Sequence, residues 1–147
     1  MADMTSTRST EAVTRSGQAS AIGEKAVCTL AASAEAAPKF RSFVRAAGTR
    51  WNLPGEAEDA LMVIASELAT NSYLHSGSAD VWLMLRNGPE FIEIEVADQG
   101  SWKRSGCGSR SRFATHGRGL GIIDAYAASV SIQRGLAGTR TVARVTK

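Results

Sequence analysis

Residues 91–97 alternate strictly: Ile92, Ile94 and Val96 are separated by Glu93 and Glu95. A period of two commits this segment to a strand with one buried and one wet face. A second β-rich run, residues 79–86, lies immediately upstream, and Asn87-Gly88 between the two is a strong hairpin signal. Residues 130–133 and 140–145 repeat the arrangement around Gly135 and Gly138, predicting a closing hairpin. Strands that come in adjacent pairs exclude a doubly wound βαβ domain, whose strands alternate singly with helices.

The segments between the hairpins have helical spacing. Phe40, Phe43, Val44, Ala47 and Trp51 mark a helix over residues 38–51, with Pro38 suited to its first turn. Asn52-Leu53-Pro54-Gly55 breaks it. A second helix is predicted from Glu56 to about Leu74, with Glu56, Glu58 and Asp59 favouring its N-terminal end and Ser76-Gly77-Ser78 ending it. A short strand at residues 27–30 precedes both helices, and a third helix is expected over residues 120–128. The order is strand, helix, helix, hairpin, loop, helix, hairpin. It predicts an α+β fold, a two-layer α/β sandwich with helices on one face of a mixed, largely antiparallel sheet. The 147 residues suffice for one such core. Residues 1–22 hold many Ser and Thr but few large apolar side chains, and read as a flexible tail before a domain spanning 23–147.

Composition narrows the class. No apolar run approaches the roughly 18–20 residues of a membrane helix, and residues 1–20 lack a hydrophobic signal stretch, so a cytoplasmic protein without membrane contact is expected. Cys28 and Cys107 are too few for a disulfide framework or a metal site. The net charge of +3 hints at nucleic acid until it is located. Lys103, Arg104, Arg110, Arg112 and Arg118 fall between Ser101 and Gly121 with no acid among them, and the remainder carries twelve basic and fourteen acidic residues. This Gly/Ser-rich basic window resembles an anion clamp more than a DNA-binding face.

On the second helix Glu67, Asn71 and His75 recur every four residues. With Glu67 at zero they fall at about 0°, 40° and 80°, while Ile64, Leu68 and Leu61 fall at about 60°, 100° and 120°. The polar row thus overlaps the apolar stripe, which is costly unless something binds it. Two readings stay open at this level, a solvated helix edge or a site facing a ligand, a metal or a water. Asp98-Gln99-Gly100 leaves a carboxylate at a strand end, a pattern that is more often a simple turn. His116-Gly117-Arg118-Gly119-Leu120-Gly121 is a Gly-rich stretch opening a helix, where backbone amides and the helix terminus suit an anion. It is neither a Rossmann fingerprint nor a Walker A loop.

The order Glu67-x-x-x-Asn71-x-x-x-His75, Asp98-x-Gly100, Gly117-x-Gly119-x-Gly121 and Gly138-Thr139 resembles the N, G1 and G2 boxes of the GHKL superfamily. Within it, the chain is most similar to the anti-sigma-factor serine kinases of the RsbW/SpoIIAB type, over roughly residues 29–145. The resemblance implies a Bergerat ATP-binding fold, a histidine kinase-like ATPase domain over 23–147, and ATP with Mg²⁺ as cofactors. It implies that Asn71 holds the Mg²⁺ and that Glu67 is the general base. Asp98 would accept a hydrogen bond from the adenine amino group, with Gly100 permitting close approach. Gly117, Arg118, Gly119, Leu120 and Gly121 would line the phosphates, and Thr139 would support the adenine end. Implied activity is that of a serine/threonine protein kinase acting in transcription regulation on a sigma factor and a STAS-type anti-anti-sigma partner, with a homodimer as the default. The alternative is a non-catalytic, nucleotide-dependent binding module of the same fold. Ser101-Trp102 departs from the usual continuation of the G1 box, and residues 106–111 have no counterpart in the family pattern.

Overall fold

The computed structural model describes residues 23–100 and 118–147, with the side chains of 118–120 excluded. The expected tail, Cys107 and nearly all of the basic window, including Gly117, lie outside the described residues. Five strands, β1 (Lys25–Ala31), β2 (Asp80–Asn87), β3 (Phe91–Asp98), β4 (Ser129–Gly135) and β5 (Gly138–Thr146), form one sheet in the order β1-β2-β3-β5-β4. Every neighbouring pair is antiparallel, so the sheet has none of the parallel pairing that a mixed sheet would carry.

Helices α1 (Ala36–Trp51), α2 (Gly55–Asn71) and α3 (Arg118–Tyr126) cover one face. Helix α1 lies over β1 and β2, α2 over β3 and β5, and α3 beside α2 and β4. This is the two-layer α+β arrangement that the strand pairing predicts. Helix α1 stops where Asn52 takes a left-handed conformation at φ 52°, which Asn tolerates better than most side chains. The core between the layers is built from Phe40 and Val44 of α1, Leu61 and Ile64 of α2, Ile123 of α3, and Leu83, Leu85, Ile92 and Ile94 of the sheet, all fully buried. The half-buried Cys28 packs against this core as a free thiol, and burial pushes its pKa up.

The β2–β3 hairpin forms as expected, with Asn87 as the last residue of β2, and one expectation changes in detail. The last pair is Asn87–Ile92, and the Gly88 N–H donates to the Phe91 carbonyl at 3.0 Å. The glutamate face of β3 is not uniformly wet: Glu95 is only 4% exposed. Arg140 Nε bonds Glu95 Oε1 while Nη2 reaches Oε2 at 2.9 Å, a bidentate pair on the diagonal across β3 and β5. The Glu95 carboxylate raises the pKa of this guanidinium, first by hydrogen bonding and then by its charge. Glu93 is flanked by Arg144 at 3.2 Å and Arg86 at 3.6 Å, its direct cross-strand neighbours. Apolar side chains alternate with these glutamates because the helices cover only the other face. No helix among the described residues is long and apolar enough to cross a membrane.

Phe40 is fully buried where α1 meets the sheet, so Phe40→Ala is expected to cost about 3–5 kcal/mol in urea unfolding. A loss below 1 kcal/mol would show that this part of the core repacks.

Candidate ATP site

Helix α2 buries Ala57, Ala60, Leu61, Ile64, Ala65, Leu68 and Ala69 along one side, and Asn71 continues that buried side as its last residue. Asn71 is 6% exposed, and its Nδ2 has no hydrogen-bond partner. A buried amide donor left unpaired costs about 1–3 kcal/mol, so it calls for a reason outside ordinary packing. Glu67 lies one turn earlier on the same stripe and is half-buried. Three residues of the predicted row therefore have three different environments: Glu67 half-buried, Asn71 buried, His75 exposed.

The row is interrupted after Asn71. Residues Ser72–Ser76 form a π turn in place of the α-helix expected to reach Leu74, so the 100° arithmetic stops applying before His75. Hydroxyls knit this turn. Ser76 Oγ donates to the Ser72 carbonyl at 2.7 Å, the Ser78 N–H donates to Ser76 Oγ at 3.0 Å, and the Gln99 N–H donates to Ser78 Oγ at 3.1 Å. Ser72 Oγ donates to Asp98 Oδ2 at 2.7 Å, and the Gly100 N–H donates to Asp98 Oδ1 at 3.1 Å. The end of α2 is thereby bonded to the end of β3, bringing the Asn71 turn and Asp98-Gln99-Gly100 together as one unit.

Both flanking glycines are dictated by close approach. A Cβ on Gly100 would lie 2.0 Å from the Ser76 carbonyl oxygen. One on Gly138, which has φ 130°, would lie 1.9 Å from the Asp98 carbonyl oxygen. Thr139 sits directly opposite Asp98 in the β3–β5 register, and both are buried. Asp98, Gly100 and Thr139 thus stand together beside the end of α2. Helix α3 begins at Arg118, two residues earlier than predicted, so Gly119 and Gly121 belong to its first turn. The first four amides of a helix have no partner within it, and a Cβ on Gly121 would meet nothing within 4 Å.

Sequence reasoning missed Ser72, Ser76 and Ser78, whose hydroxyls make this junction. Their signal was available in the spacing Ser72-x-x-x-Ser76-x-Ser78 ahead of an Asp-x-Gly. A cavity of about 600 Å³ also lies around the outward-facing Trp82, Gln133 and Arg140, on the sheet face away from the helices. Asp98 and Thr139 contribute to its wall, but Glu67 and Asn71 do not. The unpaired amide of Asn71 and the donor-held carboxylate of Asp98 lie on the helical side of the sheet.

A five-stranded antiparallel sheet covered on one face by helices, with this junction at one end, is the two-layer Bergerat architecture. The sequence matches the histidine kinase-like ATPase domain over residues 30–147, and the chain belongs to that family. An ATPase domain implies ATP binding. The structure is similar to the RsbU and RsbW domains of Rv1364c from Mycobacterium tuberculosis, with TM-score 0.67, 16% identity, and coverage of 84% of this chain and 33% of that one. It is also similar to the histidine kinase domain of the blue-light activated histidine kinase EL346 from Erythrobacter litoralis, with TM-score 0.48, 17% identity, and coverage of 88% of this chain and 65% of that one. The chain thus spans about a third of the first structure and just under two thirds of the second. At these identities the likeness is one of fold. No curated protein matches the chain.

Gly100→Ala would drive a methyl into the Ser76 carbonyl, against backbone rather than a flexible side chain. The variant is expected to lower both the melting temperature and ATP affinity. Unchanged values of both would show that the junction is looser than its contacts imply.

Proposed function

We propose that the chain is an ATP-dependent serine/threonine protein kinase of the anti-sigma-factor type, with its catalytic domain over residues 23–147. The observation that carries this reading is the buried Asn71, unpaired at Nδ2 and one residue from the serine that grips Asp98. Its amide suits a site that gains a ligand: Oδ1 is a hard oxygen donor for Mg²⁺, and Nδ2 remains a hydrogen-bond donor. Mg²⁺ typically takes one or two protein oxygens and completes its shell with phosphates and water, which a lone Asn beside a triphosphate satisfies. When bound, the ion neutralises charge on the phosphates.

Asp98 accepts from the 6-amino group of adenine, with Gly100 and Thr139 bordering the base. The Gly-rich sequence Gly117-Arg118-Gly119-Leu120-Gly121 would bind the phosphates through backbone amides at the start of α3, and the basic residues of the 101–121 window would supply further countercharge. Glu67 takes the proton of a serine hydroxyl on a partner protein as that oxygen bonds to the γ-phosphorus. The bond to the bridging β–γ oxygen breaks, and ADP leaves. Sigma factors and STAS-type anti-anti-sigma proteins are the partner classes, engaged by a cytoplasmic homodimer. The fold likeness to a structure that includes an RsbW domain agrees with this assignment.

Asn71→Ala is expected to abolish measurable ATP binding by calorimetry. Glu67→Ala is expected to keep ATP affinity within a few-fold while lowering phosphate transfer to an acceptor protein by about 10²–10⁴. Transfer at the unmutated rate by Glu67→Ala would remove the base assignment. Tight ATP binding by the unmutated chain, with no transfer to any candidate acceptor, would favour the non-catalytic module.

A further inference from the structure

We propose that Ser72 is a specificity-determining positioning residue, which orients Asp98 so that the site selects a base bearing an exocyclic amine; this rests on the ATP reading above. Ser72 is 2% exposed and Asp98 8% exposed, so both groups are largely withdrawn from bulk water. A serine hydroxyl has one hydrogen to give, and it goes to Asp98 Oδ2 at 2.7 Å. The second carboxylate oxygen receives the Gly100 N–H at 3.1 Å. With one donor fixed on each oxygen, rotation of the carboxylate would break both bonds.

An ionised carboxylate has about four acceptor sites, of which these donors fill two. The unfilled sites can only receive hydrogen. A 6-amino purine supplies that hydrogen, whereas a purine with a bare C6–H leaves the buried acceptor unpaired, and such a mismatch is costly. Without Ser72 the carboxylate is held from one side only and loses its fixed aim. The remaining hydroxyl links of the π turn, through Ser76 and Ser78, hold the backbone but do not touch the carboxylate. That separation assigns the orienting role to Ser72 and not to the turn as a whole.

The test compares equilibrium binding of ATP and of purine riboside triphosphate, which has hydrogen in place of the 6-amino group, to the full chain. Ser72→Ala is expected to weaken ATP about tenfold and leave the analogue unchanged, so that the affinity ratio falls about tenfold. Ser76→Ala removes both links through the Ser76 hydroxyl and is expected to keep the ratio. Should Ser72→Ala fail to fold, Ser72→Cys, near in size but a weak donor, carries the same expectation. A ratio within twofold of the unmutated chain in a folded Ser72 variant overturns the proposal. So does an equal loss for both nucleotides, which marks a purely structural tie. If the unmutated chain binds neither nucleotide, the ATP reading itself fails, and this is seen before any variant is compared.

Discussion

The hydrogen bond from Ser72 to Asp98 joins the helical layer to the sheet at the end of α2 and the end of β3. The buried side of helix α2 is apolar over β3 and β5 as far as Ala69, and Asn71 at its end is the polar exception. Strand β3 likewise ends its buried alternation of Ile92, Ile94 and Val96 with a carboxylate on the same face. Two polar ends thus meet at the rim of an apolar core, where each would be costly alone. The serine settles the carboxylate from one side and the Gly100 amide from the other, while the amide of Asn71 keeps a donor unspent. The core sets the separation of α2 from the sheet, and that separation decides which polar groups can meet.

The two faces of the sheet solve different problems. On the helical face, apolar side chains supply the packing. On the other, Glu93 and Glu95 are matched to Arg86, Arg144 and Arg140, so that the alternating glutamates of β3 are answered by its neighbours on both sides. Exposed ion pairs contribute little to stability, and their consequence here is local: the acids of β3 are neutralised on the face away from Asn71. The strands carry five basic and four acidic residues, so the sheet contributes little to the positive excess of the sequence. Most of that excess falls in the basic window 101–121, which leads into the glycines of α3.

Most of the architecture was legible in the sequence, for reasons tied to particular residues. Period-two alternation at Ile92–Val96 and paired β-rich runs specify hairpins, and hairpins specify an antiparallel sheet. Helical spacing from Phe40 to Trp51 and the Asn52–Gly55 break placed α1 and the start of α2 within two residues. The end of α2 was not legible, because a π turn leaves no mark in hydrophobic periodicity: Tyr73 and Leu74 read as further helix but stand exposed. Glu95 was read as solvated because alternation cannot show that Arg140 reaches across the diagonal. Of the candidate site, Asn71 was visible as a polar residue on an apolar stripe and Asp98 as a carboxylate at a strand end. Ser72 was not, since a serine beside an asparagine announces nothing until the strand end that it contacts is known.

We propose that ATP binds on the helical face, at the junction of α2 with β3. Amide hydrogen exchange, measured residue by residue with and without Mg-ATP, tests it most directly. Slower exchange is expected at residues 72–76 and at Gly100, with little change around the outward-facing Trp82 and Gln133. Protection confined to the cavity beside Trp82, Gln133 and Arg140, with none at residues 72–76, would contradict it.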